Sequence, residues 1–181
     1  MGLHGFYRAM DLYELIRNRE SIRDYDPAKP VDEATLNRIL EAGRLAPSAA
    51  NRQPWHFLVI SSREMLKKVR QCYSRSWFQD APHILVVVGD MNESWVRESD
   101  GYNSIETDLT IAIDHMILAA ESEGVATCWI AAYDPVILRK ALSLKDNERI
   151  FSITPLGYPK KGFVKKHSKQ RKSLNEIVRI L

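Results

Sequence analysis

Ile105-Glu-Thr-Asp-Leu-Thr-Ile-Ala-Ile-Asp-His-Met-Ile-Leu-Ala-Ala-Glu-Ser-Glu123 is the stretch from which the rest of this chain can be organised. At 3.6 residues per turn, Ile105, Leu109, Ile111, Ala112, Ile113, Met116, Ile117, Leu118, Ala119 and Ala120 leave little of the helix circumference polar. A helix apolar nearly all round has to be buried. Gly124 follows where a left-handed C-terminal cap is expected. In a chain of 181 residues, covering such a helix on every side favours a second subunit packing against it. His115, inside the helix, reads as a packed, hydrogen-bonded core histidine rather than a catalyst.

Elements of both kinds surround this helix. His83 to Val88 is an unbroken apolar run, as expected of a strand covered on both faces, and Trp55 to Ile60 and Ile150 to Leu156 are further strands. Ala126 to Ile130 reads as a short fourth. Leu12, Leu15 and Ile16 give one amphipathic turn before the polar stretch Arg17 to Glu20. A second helix runs about 33 to 46, with Asp32 as N-cap and Pro47 as its stop. Arg63 to Tyr73 carries Met65, Leu66, Val69 and Cys72 on one side and cations on the other, the pattern of a surface helix. Asp134 and Pro135 open another through Leu142. The end of the chain, with Leu174, Ile177, Val178 and Ile180, is apolar but too short to build its own core, so it should dock elsewhere. The interleaving predicts a single α+β domain over 11–181, with residues 1–10 an extension ahead of it.

Composition sets outer limits. The apolar share of 45% and charged share of 27% are ordinary for a globular protein. No run approaches the ~20 apolar residues of a membrane helix, so no membrane partner is expected. The two cysteines, Cys72 and Cys128, form neither a Cys-x-x-Cys pair nor part of a metal set, which suits a reducing cytoplasm. Gly-x-Ser-x-Gly, His-Glu-x-x-His, Walker and Gly-x-Gly-x-x-Gly patterns are all lacking, so an anionic ligand has to be held by side chains.

Two places could do so. Arg19, Ser21 and Arg23 alternate and would share one face of an extended segment, as an anion cradle or as an ordinary polar exit from a helix. Far along the chain, Lys160, Lys161, Lys165, Lys166, Lys169, Arg171 and Lys172 outnumber the net charge of +3 and meet no acid between 160 and 172. That strip reads as a solvated tail, a phosphate clamp or a nucleic-acid patch, the last disfavoured because only Phe163 interleaves with the charge. Ala46 to Trp55, with its small residues and prolines, suits either a flat ligand or a helix-to-strand connector.

Arg19-Glu20-Ser21-Ile22-Arg23-Asp24-Tyr25 and Pro47-Ser48-Ala49-Ala50-Asn51-Arg52-Gln53-Pro54-Trp55 resemble two motifs of the nitroreductase family. The order continues with Gly124 to Tyr133, Pro155 to Pro159 and the pair Lys169 and Arg171, so the resemblance runs from about Asp11 to the carboxyl end. It implies a nitroreductase-like fold, a central mixed sheet flanked by helices, with the carboxyl-terminal tail exchanged across a homodimer. It also implies FMN at the dimer interface. Arg19, Ser21, Lys169 and Arg171 would hold the phosphate and ribityl chain, and Arg23 would reach the pyrimidine edge. Pro47, Ser48, Ala49 and Asn51 would come from the other subunit to flank the ring, and backbone groups at Ile130, Ala131 and Ala132 would line its reactive nitrogen. No side chain need be catalytic. Ala126 and Ala131 depart from glycines common in the family, Glu20 from a basic residue, and the ring contacts between Tyr73 and Pro82 have no assigned match.

The activity implied is hydride transfer from NADH or NADPH, then reduction of a small electron acceptor by a ping-pong cycle. Other chemistry on the same scaffold, dehalogenation or flavin cleavage, shares these motifs. A basic binding protein without catalysis is the reading from a different class, although nucleic acid is not expected as a partner.

Overall fold

The computed structural model describes residues 11–166 and 169–181, and the extension inferred ahead of Asp11 lies outside them. In chain order the elements are α1 (Leu12–Asn18), α2 (Glu33–Arg44), β1 (Trp55–Ile60), α3 (Arg63–Val69), α4 (Ser76–Asp80) and β2 (His83–Asp90). They continue with α5 (Ile105–Ser122), β3 (Ala126–Thr127), α6 (Pro135–Leu142), β4 (Glu148–Gly157) and α7 (Leu174–Ile177).

The four strands form one sheet in the order β1-β2-β4-β3. Strand β2 sits between β1 and β4, with Leu58 opposite Val86 and Leu85 opposite Thr154. Alternation along β2 sends its side chains into two cores. Leu85 and Val87 pack with Leu109, Ile113 and Met116 of α5 and Ile39 of α2. Ile84, Val86 and Val88 pack with Leu66 and Val69 of α3, Phe78 of α4 and Leu138 of α6. Helices on both faces therefore explain the unbroken apolar run. The α+β architecture follows.

The sheet corrects one expectation. It is antiparallel at every pairing among the described residues rather than mixed. A strand covered on both faces reads as continuously apolar whatever its direction, so the pattern carried no information on direction. Direction is set by the connections. The segment from Ser61 to Pro82 returns to the end of the sheet where β1 finished, which leaves Ile60 opposite Ile84. Strand β3 is also shorter than the expected run to Ile130, which makes only an isolated bridge to Ile153.

Capping fixes the helix starts. Asp32 accepts from the Thr35 N–H at 2.9 Å and Asp134 from the Val136 and Ile137 N–H groups at 2.9 and 3.0 Å, each satisfying donors that the first turn leaves free. Helix α2 lies close against α5. A Cβ built on Gly43 would stand 2.7 Å from Met116 Cγ, so only glycine permits this approach as it stands.

Helix α5 shows how far the chain covers its own apolar surface. Leu109, Ala112, Ile113, Met116 and Ala120 are buried, whereas Ile111, His115, Leu118 and Ala119 are half-buried and Asp114 is exposed. His115 is thus not a core histidine, and its ring makes no hydrogen bond among the described residues. It falls on the side of α5 that neither α2 nor the sheet reaches. The tail is barer still, with Leu174 73% and Ile180 95% exposed. No helix of the described residues is long and apolar enough to cross a membrane.

Candidate functional site

The segment leaving α1 is held extended by two anchors. Ile22 donates its N–H to the carbonyl of Thr127 in β3 at 2.8 Å, and the Tyr25 hydroxyl donates to the Ile22 carbonyl at 2.8 Å. Ile22 and Tyr25 are buried with Ala81 and Ala126, which leaves Ser21 and Arg23 facing out. Burial pushes the Tyr25 phenol well above its ordinary value, so it stays a neutral donor. Cys128 lies beneath this segment. Its burial raises the thiol, against a lowering by Arg23, Ser21 and Arg19 around it. Cys72 is pushed up to about 11 by burial, so both cysteines are protonated thiols rather than nucleophiles.

The carboxyl-terminal strip crosses back over the end of α1. Lys165 is paired with Glu121 of α5 and reaches the Asn18 carbonyl at 3.3 Å. The Lys166 N–H donates to Glu20 Oε1 at 3.0 Å, and Lys169 Nζ donates to the Ile16 carbonyl at 2.6 Å. Glu20, a departure from the family pattern, thereby serves as an anchor for the strip. Lys160 is occupied by Asp80 at 2.7 Å and Asp24 at 3.7 Å. The strip is accordingly several local attachments rather than one uniform basic surface.

These crossings bring Arg19, Lys169 and Arg171 to one hollow of about 610 Å³, lined also by Ile16, Arg17, Asp114 and Leu118. Lys169 is held below its ordinary value by partial burial and then by the charges of Arg19 and Arg171. Four cations share this hollow with one carboxylate, Asp114. Repulsion of this kind is relieved by an anion, and a phosphate dianion can accept charge-assisted hydrogen bonds from several of them at once. The donor set therefore fits a phosphate-bearing ligand. Asp114 and Leu118 lacked any signal as site residues in the sequence, because they belong to the face of α5 expected to be packed.

Arg23 points elsewhere, its guanidinium carbon 6.0 Å from the centre of the Trp77 ring. Trp77 lies in the stretch where no ring contact could be assigned, and an isolated tryptophan carries no pattern that would have singled it out. Ile130 donates to and accepts from Ile153 at 3.0 and 3.1 Å, while Ala131 and Ala132 are exposed.

The segment from Pro47 to Asn51 lies toward the other end of α5. The Ala49 N–H donates to Asp108 Oδ1 at 2.9 Å, and Asp108 Oδ2 accepts from Ser104 at 2.8 Å. Ten residues of helix, about 15 Å, separate Asp108 from Leu118 on the cation hollow. Ala50, Asn51 and Gln53 all have positive φ, 49°, 54° and 52°. For Ala50 that conformation costs about 1–2 kcal/mol. The loop is pinned in it, since the Gln53 N–H donates to Ser48 Oγ at 2.9 Å and its amide reaches Asn51 Oδ1 at 3.2 Å. Strain held in this way is common where a ligand is clamped. Within one protomer the expected site residues thus form separate groups: the cation hollow, the Ser21 and Arg23 edge, the Ile130–Ala132 turn, and the Pro47–Asn51 loop.

The fold has close counterparts. Residues 16–74 and 64–158 match the model of the nitroreductase family. A "Putative NADH dehydrogenase/NAD(P)H nitroreductase" of Archaeoglobus fulgidus is 36% identical over 152 residues, 81% of this chain and 84% of the relative. A nitroreductase family protein from Clostridium difficile 630 has a structure that superposes with a TM-score of 0.86 at 34% identity, covering 94% of this chain and 98% of that one. A Desulfovibrio desulfuricans chain solved in complex with FMN superposes at 0.79 with 25% identity, covering 93% and 95%. The iodotyrosine deiodinase of Thermotoga neapolitana is 24% identical over 174 residues, 82% of this chain and 88% of that enzyme. The chain belongs to the nitroreductase family, a group of oxidoreductases.

Proposed function

We propose that this protein is an FMN-dependent oxidoreductase that takes hydride from NADH or NADPH and reduces nitro-aromatic, quinone-like or related small acceptors. Residues 11–181 would act as one FMN-binding unit within a homodimer. The observation that carries this reading is the convergence of Arg19 with Lys169 and Arg171 on one half-buried hollow. Their mutual repulsion, felt by Lys169, is what a bound phosphate would relieve.

Arg19, Ser21, Lys169 and Arg171 would bind the phosphate and ribityl chain, each charge-assisted hydrogen bond contributing about 1.5–3 kcal/mol before ordering costs. FMN, once bound, supplies the redox chemistry, so no protein nucleophile is required. Arg23, beside Trp77 and with no carboxylate partner among the described residues, would bring its charge to the pyrimidine edge and favour the reduced, anionic state. Ala131 and Ala132 offer exposed backbone to the reactive nitrogen, more so than Ile130, whose groups are taken by Ile153. Pro47, Ser48, Ala49 and Asn51, which lie toward the other end of α5 in their own chain, would flank the ring from the other subunit. The exposed apolar tail would cross to that subunit in turn. One ring face serving donor and acceptor successively gives ping-pong kinetics. Two free, buried cysteines suit a cytoplasmic setting. Neither nucleic acid nor membrane enters this function.

The test is the visible spectrum of the purified protein, followed by anaerobic addition of NADH and, separately, NADPH. A flavin spectrum bleached by either is expected; a colourless protein that takes up no added FMN defeats the proposal. A second reading, reductive dehalogenation, is favoured by the iodotyrosine deiodinase relative. Release of iodide from an iodinated tyrosine, with nitro-aromatics left untouched, would select it.

A further inference from the structure

Remote from the cation hollow, His56, Asp90 and Glu93 place a ring nitrogen and two carboxylate oxygens within 4.8 Å of one another. The three come from different parts of the chain and are gathered by the backbone. His56 is the second residue of β1, opposite Val88 of β2. Asp90 ends β2, and its N–H donates to the Pro54 carbonyl at 2.8 Å, which draws the two strand ends together. The turn that follows folds back through a bond from the Glu93 N–H to the Asp90 carbonyl at 3.2 Å, carrying the Glu93 side chain toward the other two.

Asp90 is oriented as a metal-binding carboxylate is. Its Oδ1 accepts from Asn147 Nδ2 at 2.7 Å and from the Asn92 N–H at 2.8 Å, which leaves Oδ2 with no hydrogen bond among the described residues. Supporting hydrogen bonds of this kind fix ligand orientation and are part of a functional metal site. They also hold the carboxyl below its ordinary value, with lesser contributions from His56 and Lys145. The His56 and Glu93 side chains are exposed and make no hydrogen bond among the described residues.

From this juxtaposition we infer that His56, Asp90 and Glu93 form a binding site for a first-row divalent cation, with zinc the best match. One imidazole and two carboxylates suit zinc, at about 2.0–2.2 Å from nitrogen or oxygen, and leave the fourth tetrahedral position to water. Donors bound tetrahedrally at those lengths stand about 3.3–3.6 Å apart. Closing the present separation would fall to the two exposed side chains, because Asp90 is already fixed. The ion would tie the start of β1 to the end of β2 and, through Pro54, stiffen the strained loop that carries Asn51 and Gln53. Its role would be structural, holding the two strand ends and this loop together.

Isothermal titration of the purified protein, freed of metal with a chelator, against zinc chloride tests this directly. Saturable binding of one ion per chain in the micromolar range is expected, with a rise in the thermal midpoint. His56→Ala and Glu93→Gln, both at exposed positions that the fold tolerates, should each weaken binding by about tenfold or more. Calorimetry does not read flavin, so the result is separable from the fate of the FMN reading. Binding unchanged in both variants, or no saturable binding, overturns the inference.

Discussion

Strand β2 and the carboxyl-terminal tail are both written in apolar residues, and they meet opposite fates. Ile84, Leu85, Val86, Val87 and Val88 are no more than 1% exposed, while Ile177 is 61% and Ile180 95% exposed. Composition does not separate them. What separates them is whether the same chain supplies a layer on each side. Helix α5 covers one face of β2 and α3 with α6 the other, whereas nothing among the described residues covers α7. In the homodimer proposed above, a second copy would cover this segment, and Ile111 and Leu118 on the half-buried side of α5 would be available to pack against it.

Removing residues 173–181 breaks the comparison most severely. Leu174, Ile177, Val178, Ile180 and Leu181 would each contribute about 1.5–3 kcal/mol if fully covered in a dimer. Even half of that total weakens association by about 100-fold or more. The truncated chain is expected to run as a monomer by light scattering and to lose FMN on gel filtration, while its far-ultraviolet dichroism stays nearly unchanged. A truncated chain that still dimerises would show that the tail is not the exchanged element.

The covered side of the comparison responds differently. Leu85→Ala opens a cavity between β2 and α5, where Leu109, Ile113 and Met116 are fixed by their own packing. The expected loss is about 2–5 kcal/mol in urea unfolding of the protomer. A loss below about 1 kcal/mol would mean that this core relaxes readily, and that β2 is less tightly constrained than its burial suggests.

Much of this was legible beforehand, and unequally. Asp32 and Asp134 fixed the starts of α2 and α6 because capping is local chemistry between neighbours. The periodicity of Leu109, Ile113 and Met116 likewise located α5. Strand direction was not legible in β2, since burial on both faces erases the alternation that distinguishes one environment from another. His115 was misjudged for a related reason: a helix apolar all round does not reveal which side the protomer leaves open. At the site, Arg19 and Lys169 were found through a family pattern that links distant segments, whereas Trp77 and Asp114 belong to no local pattern and emerged only from where the chain places them.

Between tail and core lies the cation hollow, which sharpens the comparison because its residues are polar and partly exposed. Arg171→Ala should weaken FMN binding by about 10–100-fold, the loss of one charge-assisted hydrogen bond, measured by fluorescence quenching of added flavin. Arg171 is exposed, and among the described residues its guanidinium donates only to the neighbouring Gln170 carbonyl, so the midpoint of urea unfolding in the absence of FMN should not move. Parallel losses of stability and affinity would place Arg171 in the scaffold instead.

The smallest effect is expected at His83, the buried histidine with which β2 begins. Its Nε2 accepts the Val31 N–H at 3.1 Å, and Nδ1 lies 2.8 Å from Ser61 Oγ, an arrangement that calls for the neutral ring with the proton on Nδ1. Burial holds the folded-state value below the ordinary one. Protonating Nε2 would also set two donors against each other. The unfolded chain therefore takes up a proton first as pH falls, so stability is fully present above about pH 6.5 and declines below it toward the depressed folded value. His83→Gln removes this titration. The variant should be less stable at neutral pH by about 1–3 kcal/mol, from the poorer partner left for Val31, yet lose less on acidification. Urea midpoints for both proteins between about pH 5 and 8 decide the matter. Equal slopes would mean that His83 carries no pH dependence and that the edge of β2 is as open to water as the tail.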